Sequence, residues 1–138
     1  MHGKANLYFA LGELAYAVAK ADGTVQREER DRLYELVADA QRKHHWEYDV
    51  AHIIFHLLEK EHMPWRTVYD WAIDQLKLYN HYLTPEMKTE FMDVVETIAH
   101  AFDSVTIEEQ NVLDMLRTDL ANIDAQAPST STTNPVQS

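Results

Sequence analysis

Residues 18–36 read VAKADGTVQREERDRLYEL, with an Asp-Gly pair between two stretches that carry apolar residues at helical spacing. The stretch before the pair predicts a helix from about Lys4 to Ala21. Its apolar positions recur every three or four residues: Leu7, Leu11, Leu14 and Val18. The stretch after the pair predicts a second helix from about Arg27 to Lys43. Gly23 is a natural helix stop, and so short a loop favours antiparallel packing of the two helices.

Two further helices are predicted in the middle of the chain. The third runs from about Asp49 to Glu61, and its predicted apolar face consists of Val50, Ile53, Ile54, Leu57 and Leu58. Pro64 suits the first turn of the fourth helix. That helix carries a second apolar set: Trp65, Val68, Ala72, Leu76 and Tyr79.

Capping residues mark the starts of the last two predicted helices. Thr84 as N-cap and Pro85 in the first turn open the fifth, whose stripe is Met87, Phe91, Val94, Val95, Ile98 and Phe102. Thr106 and Glu109 form a capping-box pattern before the sixth, which is expected to end near Asn122. No segment has the pattern of a strand.

Length and composition indicate one all-α domain, a compact bundle of about six to seven helices over residues 1–123. Residues 124–138 are rich in Ser, Thr and Pro and predict a disordered tail. The apolar runs are too short to span a bilayer, and the N-terminal residues do not have the pattern of a secretory signal. The chain has no cysteine, which removes any evidence about the redox compartment, and the cytoplasm is taken as the default location.

The net charge of −11 bears on the kind of partner. Residues 84–126 contain ten Asp and Glu side chains against only Lys88 and Arg117. Such a field repels phosphate backbones, so nucleic acid is not an expected partner. Cations and basic protein surfaces fit the field better, although many proteins are acidic only for solubility.

An internal repeat relates residues 18–36 to residues 98–116, which read IAHAFDSVTIEEQNVLDML. Seven of the aligned positions are identical, and they include Glu28 with Glu108 and Glu29 with Glu109. Because the matched loop and carboxylates lie outside the apolar pattern, the repeat predicts two pseudo-symmetric helix-loop-helix units.

Carboxylates at the edges of these units are candidate metal ligands. Asp22 and Glu29 extend the apolar stripes of the first two helices, and Glu109 stands in the same relation to the last helix. The run from Asp22 to Glu29 copies the second half of an EF-hand loop, but Val18 and Lys20 occupy its first ligand positions, so a true EF-hand is rejected. The alternative for these carboxylates is ordinary helix capping.

The segment AKADGTVQREE, with its second copy AHAFDSVTIEE, resembles the TerB-like tellurite-resistance family over roughly residues 7–120. The resemblance implies a compact pseudo-symmetric helical fold, a bacterial stress or tellurite response, and a divalent cation held by an acidic surface, calcium or magnesium rather than zinc. It implies no catalytic activity. The family motif falls on Asp22, Gly23 and Glu29, with Asp103 and Glu109 in the second copy, where Phe102 stands at the Asp position.

Histidines and aromatic residues supply competing hypotheses. His52, His56 and Glu59 are predicted to project away from the apolar face of the third helix, where they could chelate zinc or remain solvated. A di-iron bundle needs Glu-x-x-His pairs, and only Glu59 with His62 has that spacing. Aromatic side chains are also dense around the third and fourth helices, where they could fill the core or form an exposed patch: Trp46, Tyr48, Trp65, Tyr69, Trp71, Tyr79 and Tyr82.

Together these patterns predict a non-enzymatic, acidic binding or scaffold domain whose partner is a protein or a second copy of itself. The predicted metal residues are Asp22, Glu29, Asp103 and Glu109. The alternative is a metal-dependent helical-bundle enzyme or oxygen-binding protein that uses His and carboxylate ligands.

Overall fold

The computed structural model describes residues 3–21, 31–32, 35–36, 38–39, 42–43, 50–100 and 105–123. Within them five helices have defined bounds: α1 Gly3–Lys20, α2 Ala51–Lys60, α3 Trp65–Leu78, α4 Pro85–Ala99 and α5 Ile107–Asn122. A short 3-10 turn, Asn80–Tyr82, follows α3. No strand occurs in the described residues, which confirms the all-α class.

Part of the predicted architecture falls outside these ranges. The described residues between 31 and 43 are helical, where the second helix is predicted, but the bounds of that helix are not among the described residues. The Asp-Gly loop, residues 101–104 and the predicted tail from 124 to 138 also lie outside the described residues. The count of six to seven helices and the pseudo-symmetry therefore stay predictions.

α1 is the central helix, and each of the other four packs against it. The four residues of its predicted stripe are fully buried, but so are side chains on its other sides: Tyr8, Ala10, Ala15, Tyr16 and Ala17. The stripe prediction therefore underestimates the burial of this helix. Its many alanines let neighbouring helices approach closely on several sides, so α1 forms the axis of the core rather than one wall of it.

The contact between α1 and α2 depends on a glycine. A Cβ atom at Gly12 would overlap the Ala51 carbonyl oxygen and lie 3.1 Å from the Ala51 Cα. One turn further along both helices, the rings of Tyr16 and Phe55 meet edge to face, with centroids 6.1 Å apart. This close approach fixes which side of α2 faces the core.

The rotation of α2 differs from the prediction. Ile53 and Leu57 are about half exposed, whereas Phe55 and Glu59 are buried. Ala51, Phe55 and Glu59 lie four residues apart on one side of α2, and the approach of the Ala51 backbone to Gly12 turns this side toward the core. The predicted apolar face was therefore wrong for Ile53 and Leu57, and the predicted solvent position of Glu59 was wrong.

Local capping explains where the helices begin and end. The Thr84 hydroxyl accepts the Met87 N–H at 3.1 Å, which confirms the predicted start of α4. α2 ends in a Schellman pattern, in which His62 adopts a φ of 54° and the Met63 N–H donates to the Leu58 carbonyl. Pro64 is the N-cap of α3, one residue before the predicted first turn. α5 ends at Asn122, as predicted.

Candidate binding surface on the last two helices

Of the four predicted metal ligands, the structure describes only Glu109. Its Oε1 accepts the Thr106 N–H at 3.0 Å and the Thr106 hydroxyl at 3.2 Å. In return, the Glu109 N–H donates to that hydroxyl at 3.1 Å. Glu109 therefore completes the capping box of α5, the structural role that the sequence allowed for it.

The other predicted ligands, Asp22, Glu29 and Asp103, lie outside the described residues, and their role stays a prediction. In the part of the chain that is described, no three His, Asp or Glu side chains come together as a possible metal site.

A groove of about 330 Å³ runs between α4 and α5. Its lining combines apolar and charged side chains: Lys88, Thr89, Met92, Asp93, Glu96, Arg117, Leu120 and Ala121. Leu120 is buried and Met92 is partly buried against the core, so these two form an apolar floor. Asp93 and Glu96 stand one turn apart on α4 and supply carboxylates beside that floor.

Both cations of this groove are occupied by contacts within the chain. The Lys88 ammonium donates to the carbonyl oxygen of Ile123, just after the end of α5. Arg117 binds Glu96 at 2.5 Å across the helix pair and Asp114 at 3.2 Å on its own helix. α4 and α5 together carry eight Asp and Glu side chains against these two cations, so the acidic excess predicted for this region is present, and Asp93 is exposed within it.

A buried carboxylate that the sequence analysis missed lies in α1. Glu13 is only 4% exposed, and its Oε1 has no hydrogen-bond partner among the residues that the structure describes. Burial raises the pKa of this side chain from 4.5 to about 7. The sequence does contain a signal for this burial. Glu13 lies within the Ala- and Leu-rich run ALGELAYAVA, in which no side of the helix is polar enough to face solvent along its whole length.

The positions of the histidines and of Glu59 on α2 differ from the predicted ones. His56 is exposed while Glu59 is buried, so they are not on a common surface. Glu59 lies near Tyr16, whose pKa is raised to about 12 by burial and then by the Glu59 charge. His62 lies beyond the end of α2, so the Glu59–His62 spacing is not a helical pair. The His52 side chain is outside the description.

The aromatic residues divide between core and surface. Tyr69 is buried, and its hydroxyl donates to the Asp119 carboxylate at 2.5 Å, which links α3 to α5. Trp65 and Tyr79 are partly buried against the core. Trp71 and Tyr82 are exposed, whereas Trp46 and Tyr48 lie outside the described residues.

No protein-family model, curated protein or solved structure matches this chain. None of the described helices is both long enough and apolar enough to cross a membrane.

Proposed function

We propose that the chain is a non-enzymatic, acidic helical binding domain that recognises a basic protein surface through the groove between α4 and α5. The observation that carries this proposal is Asp93, which is exposed beside the apolar floor of the groove and forms no ion pair in the described part of the chain. Arg117 binds Glu96 and the Lys88 ammonium donates to the Ile123 carbonyl, so neither groove cation is paired with Asp93. The cytoplasmic location belongs to the same proposal and rests on the sequence alone.

The groove suits a Lys or Arg side chain of the partner. The apolar stem of such a side chain would lie on Met92 and Leu120, while its charged head would reach Asp93. A charge-assisted contact of this kind contributes about 1.5–3 kcal/mol where water is excluded, and less at an open rim. Several weak contacts along α4 and α5 would add up to a salt-sensitive affinity.

Fluorescence anisotropy with a labelled lysine-rich peptide tests this proposal. Asp93→Lys should weaken binding by about tenfold, because it removes one attraction and adds one repulsion at the groove. Asp31→Lys is the matched control. Asp31 is an exposed helical residue outside the groove, and its substitution changes the net charge by the same amount. Equal losses from both variants would mean that only net charge matters, and would contradict a specific surface.

A divalent cation at the Asp-Gly loop is the second part of the proposal, and the resemblance to the TerB-like family supports it. Asp22 and Glu29 would supply oxygen ligands to calcium or magnesium, with Asp103 and Glu109 as the corresponding pair. A role in a bacterial stress or tellurite response rests on the same resemblance. Calorimetric titrations should show saturable binding that Asp22→Asn and Glu29→Gln abolish, whereas unchanged heats in both variants would remove the cation from the proposal.

The histidine-based alternative makes an opposite prediction. A transition-metal enzyme or oxygen-binding bundle requires tight zinc or iron binding through imidazole, which would be lost on His56→Ala. The oxygen-ligand site predicts that this variant binds cations as the wild type does.

A further inference from the structure

The solvent face of α3 carries large apolar side chains. Trp71 is 46% exposed and Leu78 is 69% exposed, and their spacing of seven residues places them on the same side of the helix. Tyr82, in the turn that follows, is 39% exposed. The opposite side of α3 is its core face, formed by Val68, Tyr69, Ala72, Ile73 and Leu76. α3 therefore presents an aromatic and aliphatic strip away from the core, the composition that is enriched at the centre of protein interfaces.

The charges on this face differ from those on α4 and α5. Along α3, Arg66 and Lys77 balance Asp70 and Asp74, so the helix has no acidic excess. Arg66 pairs with Asp70 at 3.3 Å. Asp74 and Lys77 are exposed, and neither forms an ion pair within the described part of the chain. An overall charge of −11 makes two copies repel, so self-association needs a locally neutral face such as this one.

We propose that this face binds a second copy of the chain, with the two α3 helices antiparallel about a two-fold axis. If Trp71 lies level with Leu78 of the second copy, Lys77 lies level with position 72 of that copy. That position is two residues, or about 3 Å along the axis, from each of the second copy's Asp70 and Asp74. One register therefore packs the apolar strip and places each Lys77 between two carboxylates, and symmetry makes the contact twice. The same register sets the two Asp74 side chains nearly level with each other, and the two Lys77 side chains on either side of them offset their repulsion.

The charge complementarity favours a second copy over a basic partner. Asp74 and Lys77 stand on the same flank of α3, and the same flanks meet when identical helices pair antiparallel. A basic protein would find no net negative charge on this face, because Arg66 already pairs with Asp70 and Lys77 offsets Asp74. Since the strip occupies one helix face, the interface belongs to the small class, below about 1,200 Å², and the dimer should dissociate in the micromolar range.

Sedimentation velocity of the full chain over the micromolar range tests the proposal. The wild type should show a reversible monomer–dimer equilibrium, and Leu78→Lys should raise the dissociation constant by about tenfold or more. Leu78 is too exposed for this change to unfold the domain, which circular dichroism would verify. Glu61→Gln is the control for the same one-unit change in net charge, because Glu61 is exposed at the end of α2.

Mixing complementary variants gives a stricter test. Lys77→Asp and Asp74→Lys should each weaken self-association, and an equimolar mixture of the two should recover part of it, because one copy's Lys77 again meets Asp70 and Asp74. A wild type that stays monomeric, or a mixture no tighter than its components, would overturn the proposal and assign the face to a protein of different sequence. Asp93→Lys should leave the dimer unchanged, so failure of this inference is distinguishable from failure of the α4–α5 groove.

Discussion

Replacing Glu13 with Gln should remove a pH dependence of folding stability that the buried Glu13 carboxyl gives the wild type. Burial raises the folded-state pKa of Glu13 from 4.5 to about 7, so the folded chain holds a proton that the unfolded chain releases. Stability from this group is fully present below pH 4.5 and is lost as the pH rises to about 7. The loss is about 1.4 kcal/mol per pH unit across that window, with an upper limit of about 3 kcal/mol in total.

The assay is urea unfolding followed by circular dichroism at several pH values, on wild type and Glu13→Gln in parallel. The histidines and the overall negative charge also affect the pH dependence of stability in this range, but both proteins share them. The difference between the two unfolding free energies therefore isolates the contribution of Glu13. The variant should gain up to about 3 kcal/mol relative to wild type between the lower and upper ends of the window. A Glu61→Gln variant, altered at an exposed position, should show no such gain. Parallel curves for wild type and Glu13→Gln would refute the assignment of a neutral buried acid.

Three further substitutions, one of them with a control variant, test the helix contacts and caps. Gly12→Ala should destabilise the domain by about 1–3 kcal/mol in thermal unfolding, because its methyl group meets the Ala51 carbonyl; a gain in stability would contradict the close α1–α2 contact. His62→Gly should stabilise by up to about 1 kcal/mol in urea unfolding because its φ of 54° suits glycine, whereas Glu61→Gly, at a φ of −85°, should destabilise. Thr106→Ala should cost about 1 kcal/mol and speed hydrogen exchange at the start of α5, and unchanged exchange there would argue against the capping box.

Helix starts were predictable from local sequence because their causes are local. Thr84 with Pro85, and Thr106 with Glu109, satisfy backbone N–H groups within their own first turns. No tertiary contact is needed for that chemistry, so four or five residues carry the whole signal.

Rotation and depth of burial depend on partners that sequence spacing does not reveal. α2 has apolar residues on more than one side, and the contact between Gly12 and Ala51 selects the side that carries Phe55 and Glu59. α1 shows one leucine stripe in sequence, but its alanines allow helices on all sides. Glu13 becomes buried for that reason, and an ordinary helical pattern would have placed it in solvent.

The candidate surface was predictable in charge but not in shape. The excess of Asp and Glu over residues 84–126 is visible in the sequence. The groove requires α4 and α5 to lie side by side. The hydrogen bond from the Lys88 ammonium to the Ile123 carbonyl likewise depends on the position of Ile123 relative to α4. The resemblance to the TerB-like family predicts that Asp22 and Glu29 bind a divalent cation together, and the calorimetric titrations test this prediction.

Amide chemical-shift mapping of the full chain during titration with a lysine-rich peptide tests the proposed binding function most directly. The groove predicts saturable shifts that are largest around Met92, Asp93, Glu96 and Leu120, that weaken with added salt, and that Asp93→Lys reduces. Shifts spread evenly over every acidic residue, or concentrated on α3 with α4 and α5 unchanged, would contradict recognition of a basic partner by this surface.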